Sequence, residues 1–251
     1  MRLLLDIKPQ KEEKVIFPYF LQLQGVIYHF LQGTSYQKLH QKKSYKFFCF
    51  SNIFSSKENF KVFKKDRLYH WIISSPNENF LKTLARKFLK KESFNFQKIP
   101  FKIEGVRLFK VKLKKRLKLI SSTPIILRIP KEKFKEYKIS PLREYNYLFW
   151  RPQYPFEAFL KQLEANIFKK YKTFYQKEIK EFPIFQRFIF KKSVSIPLKI
   201  HGKETLYIGS LWEFHFDFLD KKTKNILEFA IDCGLGEANS KGFGFVNVEK
   251  R

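Results

Sequence analysis

The order of hydrophobic patterns along the chain constrains its fold more than any other feature. Strand-like alternation of apolar and polar side chains gives way to helical spacing and then returns, so the first half follows the order strand, helix, strand, strand, helix, strand. The six segments are Met1–Lys8, Phe20–Leu31, Tyr45–Phe50, Arg67–Ser74, Asn77–Phe88 and Phe101–Leu119. This order is that of a ferredoxin-like domain.

The second half of the chain repeats that order. Thr123–Ile129 is strand-like, and a helical pattern begins near Pro155 and continues to Phe174. The remaining predicted segments are a hairpin of Ile184–Phe190 with Val194–Ile200, a strand over Leu206–Phe218, a short helix over Ile226–Ile231 and a strand over Phe243–Val248. We therefore predict an α+β protein of two tandem ferredoxin-like (RRM-like) domains, residues 1–120 and 121–251, each an antiparallel sheet with helices on one face.

The charge of the chain indicates a polyanionic partner. The sequence carries 51 Lys and Arg residues against 23 Asp and Glu, a net charge of +28, and its aromatic content of 18% argues against a disordered basic tail. Such a field attracts nucleic acid or an anionic membrane. No stretch approaches 18 apolar residues, so we expect no membrane span. Cys49 and Cys233 show neither disulfide nor zinc spacing, so we expect no metal and a reducing, cytoplasmic setting.

Four of the nine glycines lie within eleven positions near the end of the chain. The spacing fits neither a Walker loop nor a dinucleotide fingerprint, because no helix follows Lys241. An ordinary glycine-rich hairpin turn remains the alternative. We predict that the backbone at Gly234, Gly236, Gly242 and Gly244 approaches an anionic partner closely, with Lys241 beside it.

Two basic segments are candidates for phosphate contact. In the predicted strand 101–119, cations occupy alternate positions and would share one face: Lys110, Lys112, Lys114, Arg116 and Lys118. An ordinary solvated sheet face is the alternative. The predicted hairpin over residues 184–200 carries Arg187, Lys191 and Lys192.

The chain has no metal-binding motif and no nucleophile elbow, so an enzyme with this sequence would use acid–base chemistry without a metal or other cofactor. RNA permits this, because its own 2′-hydroxyl can attack the adjacent phosphorus once it is deprotonated. Histidine is the side chain best suited to that step near neutral pH. The chain has five histidines: His29, His40, His70, His201 and His215.

His40 is the strongest of these candidates, because it lies in a polar segment immediately before a predicted strand. Tyr28, on the preceding helix, is a second proton-transfer group. The two can cooperate only if the helix breaks at Gly33–Ser35, where Thr34 or Ser35 would cap a short second helix. His29 is the rival candidate, with a solvent-facing helical position as its structural alternative.

Several of these segments together resemble the CRISPR-associated endoribonucleases of the sixth Cas family, which cut CRISPR repeat RNA. The resemblance lies in the glycine-rich segment 234–246, in Ser122–Arg128, in the helix Phe159–Tyr171 and in His40–Ser51. It spans nearly the whole chain.

The resemblance implies a tandem ferredoxin-like fold, metal-independent cleavage of repeat RNA to a 2′,3′-cyclic phosphate and a 5′-hydroxyl, and retention of the product. It also implies that Tyr28 and His40 exchange protons with the 2′-hydroxyl and the leaving oxygen, in an order left open, and that Lys46 stabilises the phosphorane. The glycine-rich loop and Lys241 would hold repeat-RNA phosphates. A homodimer and a CRISPR effector complex are further partners that the family implies. The alternatives are a catalytically inactive repeat-binding protein of the same fold and a general RNA-binding or ribosome-associated protein.

Overall fold

The structure, a computed structural model, describes residues 1–55, 60–200 and 202–250. The first half of the chain forms a five-stranded sheet with strand order β3-β5-β1-β7-β6. Its strands are β1 (Arg2–Pro9), β3 (Cys49–Phe50), β5 (Tyr69–Ser74), β6 (Ser93–Phe96) and β7 (Ile99–Phe109), and β2 (Glu13–Lys14) pairs with β4 (Val62–Phe63) beside it. The helices are α1 (Phe20–Phe30) and α2 (Glu78–Lys91).

The first sheet buries the face that the sequence pattern predicts. Leu3, Leu5 and Ile7 of β1 are fully buried in the core that α1 and α2 cover. Asn77 caps α2, as its position predicts, because its side-chain oxygen accepts a hydrogen bond of 3.1 Å from the Phe80 amide. All strand pairs in this sheet are antiparallel.

The second half forms a four-stranded antiparallel sheet with strand order β11-β12-β8-β13. Its elements are β8 (Leu117–Ser121), β9 (Arg128–Pro130), β10 (Tyr147–Phe149), α3 (Phe156–Tyr175), β11 (Arg187–Ile200), β12 (Lys203–Phe216), α4 (Lys221–Cys233) and β13 (Val246–Lys250). Phe159 of α3 stacks on Trp212 of β12 at 4.1 Å between ring centroids, in the middle of this core. The tandem ferredoxin-like α+β fold is thus confirmed. The chain leaves the first sheet at Phe109 and enters the second at Leu117.

The strand predicted over residues 101–119 is wrong in its second half. Residues 110–116 connect the two sheets, and this connection is pinned to α4: Leu113 is buried and its amide donates to the Glu228 carboxylate at 3.3 Å. The alternating apolar residues of the connection imitate a strand. The predicted ladder of Lys110, Lys112, Lys114, Arg116 and Lys118 on one strand face is therefore wrong, because only the last of these residues lies in a strand.

The predicted hairpin of residues 184–190 with 194–200 is also wrong. Residues 187–200 form one strand, β11, which takes up its extra residue as a β-bulge between Phe190 and Lys192. The polar Lys191–Ser193 run lacks the glycine, asparagine or proline that a tight turn needs. The hairpin instead joins β11 to β12, and its turn contains Gly202 with a φ of 79°.

The predicted strand over residues 45–50 shrinks to Cys49–Phe50, because Phe47 adopts a left-handed φ of 49°. The predicted helix over residues 226–231 is longer, since Asp220 caps α4 with a bond of 2.8 Å from the Thr223 amide. His201, one of the five histidines, lies outside the described residues. Within the part of the chain that the structure describes, no helix is long and apolar enough to cross a membrane.

Candidate active site

Tyr28 and His40 lie side by side because α1 ends where the sequence predicts a break. Gly33 turns the chain with a φ of 67°, and the Thr34 hydroxyl donates to the Leu31 carbonyl at 2.6 Å. A 3₁₀ helix over Gln37–Gln41 then returns His40 to Tyr28, with 5.9 Å between the ring centroids. The predicted cap on this short helix is absent, because Thr34 instead accepts from the Tyr36 amide at the turn.

Lys46 completes the cluster from a third segment. Its ammonium donates to the Tyr28 hydroxyl at 3.2 Å and to the His40 backbone carbonyl at 3.0 Å. The carbonyl contact ties Lys46 to the short helix that carries His40. The structure therefore brings together all three residues that the sequence singles out for catalysis.

The hydrogen bond at the His40 ring orients the imidazole. Its Nδ1 atom lies 3.0 Å from the Gln37 carbonyl oxygen, which can only accept a hydrogen bond. In the neutral ring, Nδ1 therefore carries the proton and Nε2 has a free lone pair. The exposed His40 ring can thus accept a proton at Nε2.

Tyr28 is held in its protonated form. Burial raises the pKa of its hydroxyl to about 12, and hydrogen bonding by the Ser240 and Gln24 side chains offsets only part of this effect. At neutral pH the group is a proton donor. Gln24 also donates to the Ser240 backbone carbonyl at 2.7 Å, so the second domain fixes the helical turn that precedes Tyr28.

Lys241 brings a second cation to the cluster from the glycine-rich loop. Burial lowers the pKa of Lys46, and the positive charge of Lys241 lowers it further. Lys241 donates to the Tyr207 hydroxyl at 2.7 Å, so β12 holds it in place. Lys46 and Lys241 together form a cationic site beside Tyr28, drawn from both domains.

The four glycines of the loop approach protein atoms. All four are buried and have positive φ, between 69° at Gly236 and 92° at Gly242. A Cβ atom on Gly242 would lie 2.6 Å from the Phe50 ring and 2.8 Å from the Phe20 ring, and one on Gly234 would lie 2.9 Å from Cys49 Cβ. These glycines approach protein atoms of both domains: Gly234 and Gly242 approach the first domain, whereas Gly236 and Gly244 approach backbone atoms of the second. Of this set, Gly236 and Lys241 line the cleft.

A buried lysine organises the loop from below. Lys170 of α3 is 2% exposed, and its ammonium donates to the carbonyls of Gly234 and Gly236 at 2.6 and 2.9 Å and to Asn239 Oδ1 at 3.0 Å. Its charge lies at the C-terminus of α4, where the helix dipole favours a cation. Lys170 thus fixes the backbone that carries Ser240 and Lys241.

The cluster opens into a cleft of about 950 Å³ between the domains. One wall is the segment 42–48, and the other is built from α3, β9, β10 and the glycine-rich loop. The cations along it are Lys42, Lys43, Lys46, Arg128, Lys169 and Lys241. The acids that line it are Glu132 and Glu237, and Glu237 is paired with Arg128, so the cleft is mainly positive.

The other predicted residues lie elsewhere. None of the basic residues predicted on the two other segments lines this cleft: Lys110, Lys112, Lys114, Arg116, Lys118, Arg187, Lys191 and Lys192. Several of them pair with acids: Lys110 with Glu78, Lys118 with Glu249, Arg187 with Asp217 and Lys191 with Glu213. Their role as phosphate contacts stays a prediction.

The remaining described histidines have structural surroundings. His29 lies on the exposed face of α1, where its Nε2 atom is 3.5 Å from the Lys91 ammonium. His70 bonds to Asp6 at 2.7 Å across the first sheet, and the buried His215 lies 3.4 Å from a Glu213 oxygen. Among the described residues, no three His, Cys, Asp or Glu side chains lie together in a way that could hold a metal ion.

Sequence reasoning missed the residues that support the cluster. Gln24 and Gln37 carry no motif, and their roles depend on backbone geometry at the ends of α1 and the 3₁₀ helix. Lys170 lies in an ordinary amphipathic helix. A buried position for a lysine inside the apolar stripe of that helix was the one available signal, because lysine is almost never fully buried unless it is paired.

Comparison with known proteins extends the likeness to the whole chain. A family model described as CRISPR associated protein Cas6, C-terminal, matches residues 110–248. The CRISPR-associated endoribonuclease Cas6 2 of Methanocaldococcus jannaschii is 30% identical, with 100% of both chains covered. The CRISPR-associated endoribonuclease Cas6 of Haloferax mediterranei is 24% identical over 100% of this chain and 94% of its own. A solved structure of a Cas6-related protein from Pyrococcus furiosus has a TM-score of 0.77 at 21% identity, covering 100% of this chain and 99% of that one.

Proposed function

The chain belongs to the Cas6 family, and from this membership and the site geometry we infer that it is an endoribonuclease that processes CRISPR repeat RNA. We propose that it cleaves by metal-independent attack of the RNA 2′-hydroxyl, leaving a 2′,3′-cyclic phosphate and a 5′-hydroxyl. The convergence of Tyr28, His40 and Lys46 from three separate segments carries this proposal.

His40 acts as the general base in this proposal. Its Nε2 lone pair takes the proton of the 2′-hydroxyl, while Nδ1–H stays bonded to the Gln37 carbonyl. The 2′-oxygen then forms a bond to phosphorus. The bond from phosphorus to the 5′-oxygen of the next nucleotide breaks in the same step.

Tyr28 acts as the general acid. Its phenol is protonated at neutral pH, as for any tyrosine with a pKa of 10 or above, so it can give its proton to the leaving 5′-oxygen. The two assignments follow from different environments: the histidine is exposed with a free lone pair, and the tyrosine is protonated and half-buried against the second domain. After release of the product, solvent returns a proton to Tyr28 and accepts one from His40.

Lys46 and Lys241 stabilise the negative charge that develops on the phosphorane oxygens. Both are fixed by hydrogen bonds before RNA binds, so little reorganisation accompanies the reaction. The exposed cations of the cleft, among them Lys42, Lys43 and Lys169, would contact flanking phosphates.

The proposal is tested with repeat RNA from a CRISPR array of the host genome, in the presence of chelator. We expect wild-type protein to cleave it and to leave intact an RNA with a 2′-deoxy nucleotide at the cut. His40→Ala should lose a factor of about 10²–10⁴ in single-turnover rate. His29→Ala is the matched control and should keep full activity, since His29 lies on the exposed face of α1.

Cleavage of the 2′-deoxy RNA, or full activity of His40→Ala in chelator, would overturn the mechanism. Tight binding of repeat RNA without cleavage would favour the inactive repeat-binding alternative. Equal affinity for repeat and scrambled RNA at matched salt would favour a general RNA-binding protein.

Three further proposals rest on family membership: that the protein forms a homodimer, that a CRISPR effector complex receives the product, and that the protein is cytoplasmic. Light scattering of the purified protein tests the first of these. Co-purification of the product RNA with effector proteins tests the second, and fractionation of host cells tests the third.

A further inference from the structure

The cleft extends beyond the catalytic cluster along α3, and this extension has groups that the cleavage step does not use. Lys46 and Tyr45 are consecutive, but Lys46 faces Tyr28 whereas Tyr45 lines the α3 side of the cleft. Phe47 faces α3 too, at 5.1 Å from the Phe174 ring centroid. The compartment is the part of this same cleft that Tyr45, Arg128, Tyr147 and α3 line, and it begins one residue along the chain from Lys46.

This compartment offers aromatic faces. Tyr147 of β10 lines it and is 40% exposed, and the Arg128 guanidinium lies 4.8 Å from its ring centroid. Phe149 meets Tyr147 edge-on at 5.6 Å and lies 5.8 Å from Tyr207, the residue that holds Lys241. A row of rings thus connects the compartment to the cationic site.

The compartment also offers a free amide. Gln162 and Asn166 lie four residues apart on α3 and both line the cleft, so they share one helical face. The buried side-chain oxygen of Asn166 has no hydrogen-bond partner among the described residues. An unpaired buried polar atom is unfavourable, so rotation of the Asn166 side chain toward the cleft, where its oxygen can accept from a bound base, would relieve that cost.

Aromatic rings, an arginine plane and an amide are the groups with which proteins bind single bases of RNA. Sequence-specific recognition commonly uses unstacked bases that stack on aromatic side chains or guanidinium planes and bond along their edges. We propose that this compartment, the base subsite, binds one unstacked nucleobase of the RNA from a nucleotide adjacent to the scissile phosphate. Tyr147, with Arg128, and Tyr45 provide the stacking faces, and Asn166 bonds to the edge of the base.

The base subsite rests on the proposed function for its ligand, and it adds a source of sequence preference at the cut. The phosphate held by Lys46 and Lys241 fixes the position of the chain. The adjacent base then reaches Tyr45, which lines the same cleft one residue before Lys46. Phosphate contacts carry no sequence information, whereas the amide of Asn166 discriminates between base edges.

Binding of uncleaved RNA tests the base subsite. The probe is the repeat RNA of the host with a 2′-deoxy nucleotide at the cut, with an abasic site placed in turn on either side of the scissile phosphate. We expect one of the two abasic RNAs to bind wild-type protein about 10- to 100-fold more weakly than the intact RNA at fixed salt.

The variants assign that loss to particular residues. Tyr147→Ala should weaken binding of the intact RNA by a similar factor and leave binding of the sensitive abasic RNA unchanged. Tyr145→Ala is the matched control, because Tyr145 is 46% exposed but does not line the cleft, and it should bind both RNAs as wild type does. Asn166→Ala should reduce the difference in affinity among the four bases at the sensitive position.

Equal binding of the intact RNA and both abasic RNAs by wild-type protein would overturn the base subsite. So would an equal loss of both affinities in a folded Tyr147→Ala protein, because the contact would then be with the RNA backbone. These measurements do not depend on catalysis. Failure of the cleavage proposal would appear as intact 2′-hydroxyl RNA in the activity assay, whereas failure of the base subsite would leave cleavage in place without base dependence.

Discussion

Replacement of Gly242 by alanine tests whether the glycine-rich loop serves the joint between the domains. Gly242 has a φ of 92°, and a Cβ atom there would lie 2.6 Å from Phe50 and 2.8 Å from Phe20. Left-handed backbone costs an alanine about 1–2 kcal/mol, and overpacking of a core costs about 1–3 kcal/mol. We therefore expect Gly242→Ala to lower the free energy of unfolding by about 2–5 kcal/mol.

Thermal unfolding followed by circular dichroism measures this loss, which corresponds to a melting temperature lower by about 5–15 °C. Gly25→Ala is the matched control, because Gly25 lies in the exposed middle of α1 with no atom within 4 Å of the added Cβ. It should raise the stability by about 0.5–1 kcal/mol. A Gly242→Ala protein of wild-type stability that bound repeat RNA weakly would refute the packing role and restore the loop as an RNA contact.

Three further outcomes follow from the contacts of single residues. The pKa of Lys46 is lowered, so the wild-type cleavage rate should fall as the pH rises through a value below 10.5, where Lys46 loses its charge. Arginine stays charged there, so Lys46→Arg should keep its rate to higher pH. Single-turnover rates of the two proteins that fall over the same alkaline pH range would contradict this. Lys170→Met leaves three acceptors unpaired and should lose about 3 kcal/mol of stability in urea unfolding, at about 1 kcal/mol for each acceptor; a loss below about 1 kcal/mol would contradict it. Asp220→Ala removes the cap of α4 and should cost about 1 kcal/mol with cleavage unchanged, which the same unfolding and activity assays check.

The helices could be predicted from the sequence because their signals are local. Asn77 stands three residues before the amide that it caps, and Pro155 immediately precedes α3. The strands were harder to predict, because the strands that pair with one another lie far apart in the sequence. The apolar alternation of residues 101–119 is equally compatible with one long strand and with two strands of different sheets, and only the contact of Leu113 with α4 decides between them.

The proximity of Tyr28 and His40 could be predicted, since a helix break between them was readable from Gly33–Ser35, whereas Lys46 entered only through the family resemblance. The assignment of general base and general acid could not be predicted from the sequence. It depends on the Gln37 carbonyl, which fixes the tautomer of His40, and on the burial of Tyr28 against Ser240 of the other domain. Neither contact follows a spacing rule.

The joint between the domains is part of the proposed active site. The first domain supplies the proton-transfer groups, but the second sets their properties: Ser240 accepts a hydrogen bond from Gln24 one turn before Tyr28, and the charge of Lys241 lowers the pKa of Lys46. These effects require the loop to sit against α1 at the distance that its glycines allow. Any substitution that widens the joint should therefore reduce the cleavage rate even where Tyr28, His40 and Lys46 are retained, because it removes the Gln24–Ser240 contact that fixes the turn before Tyr28 and the second cation that accompanies Lys46.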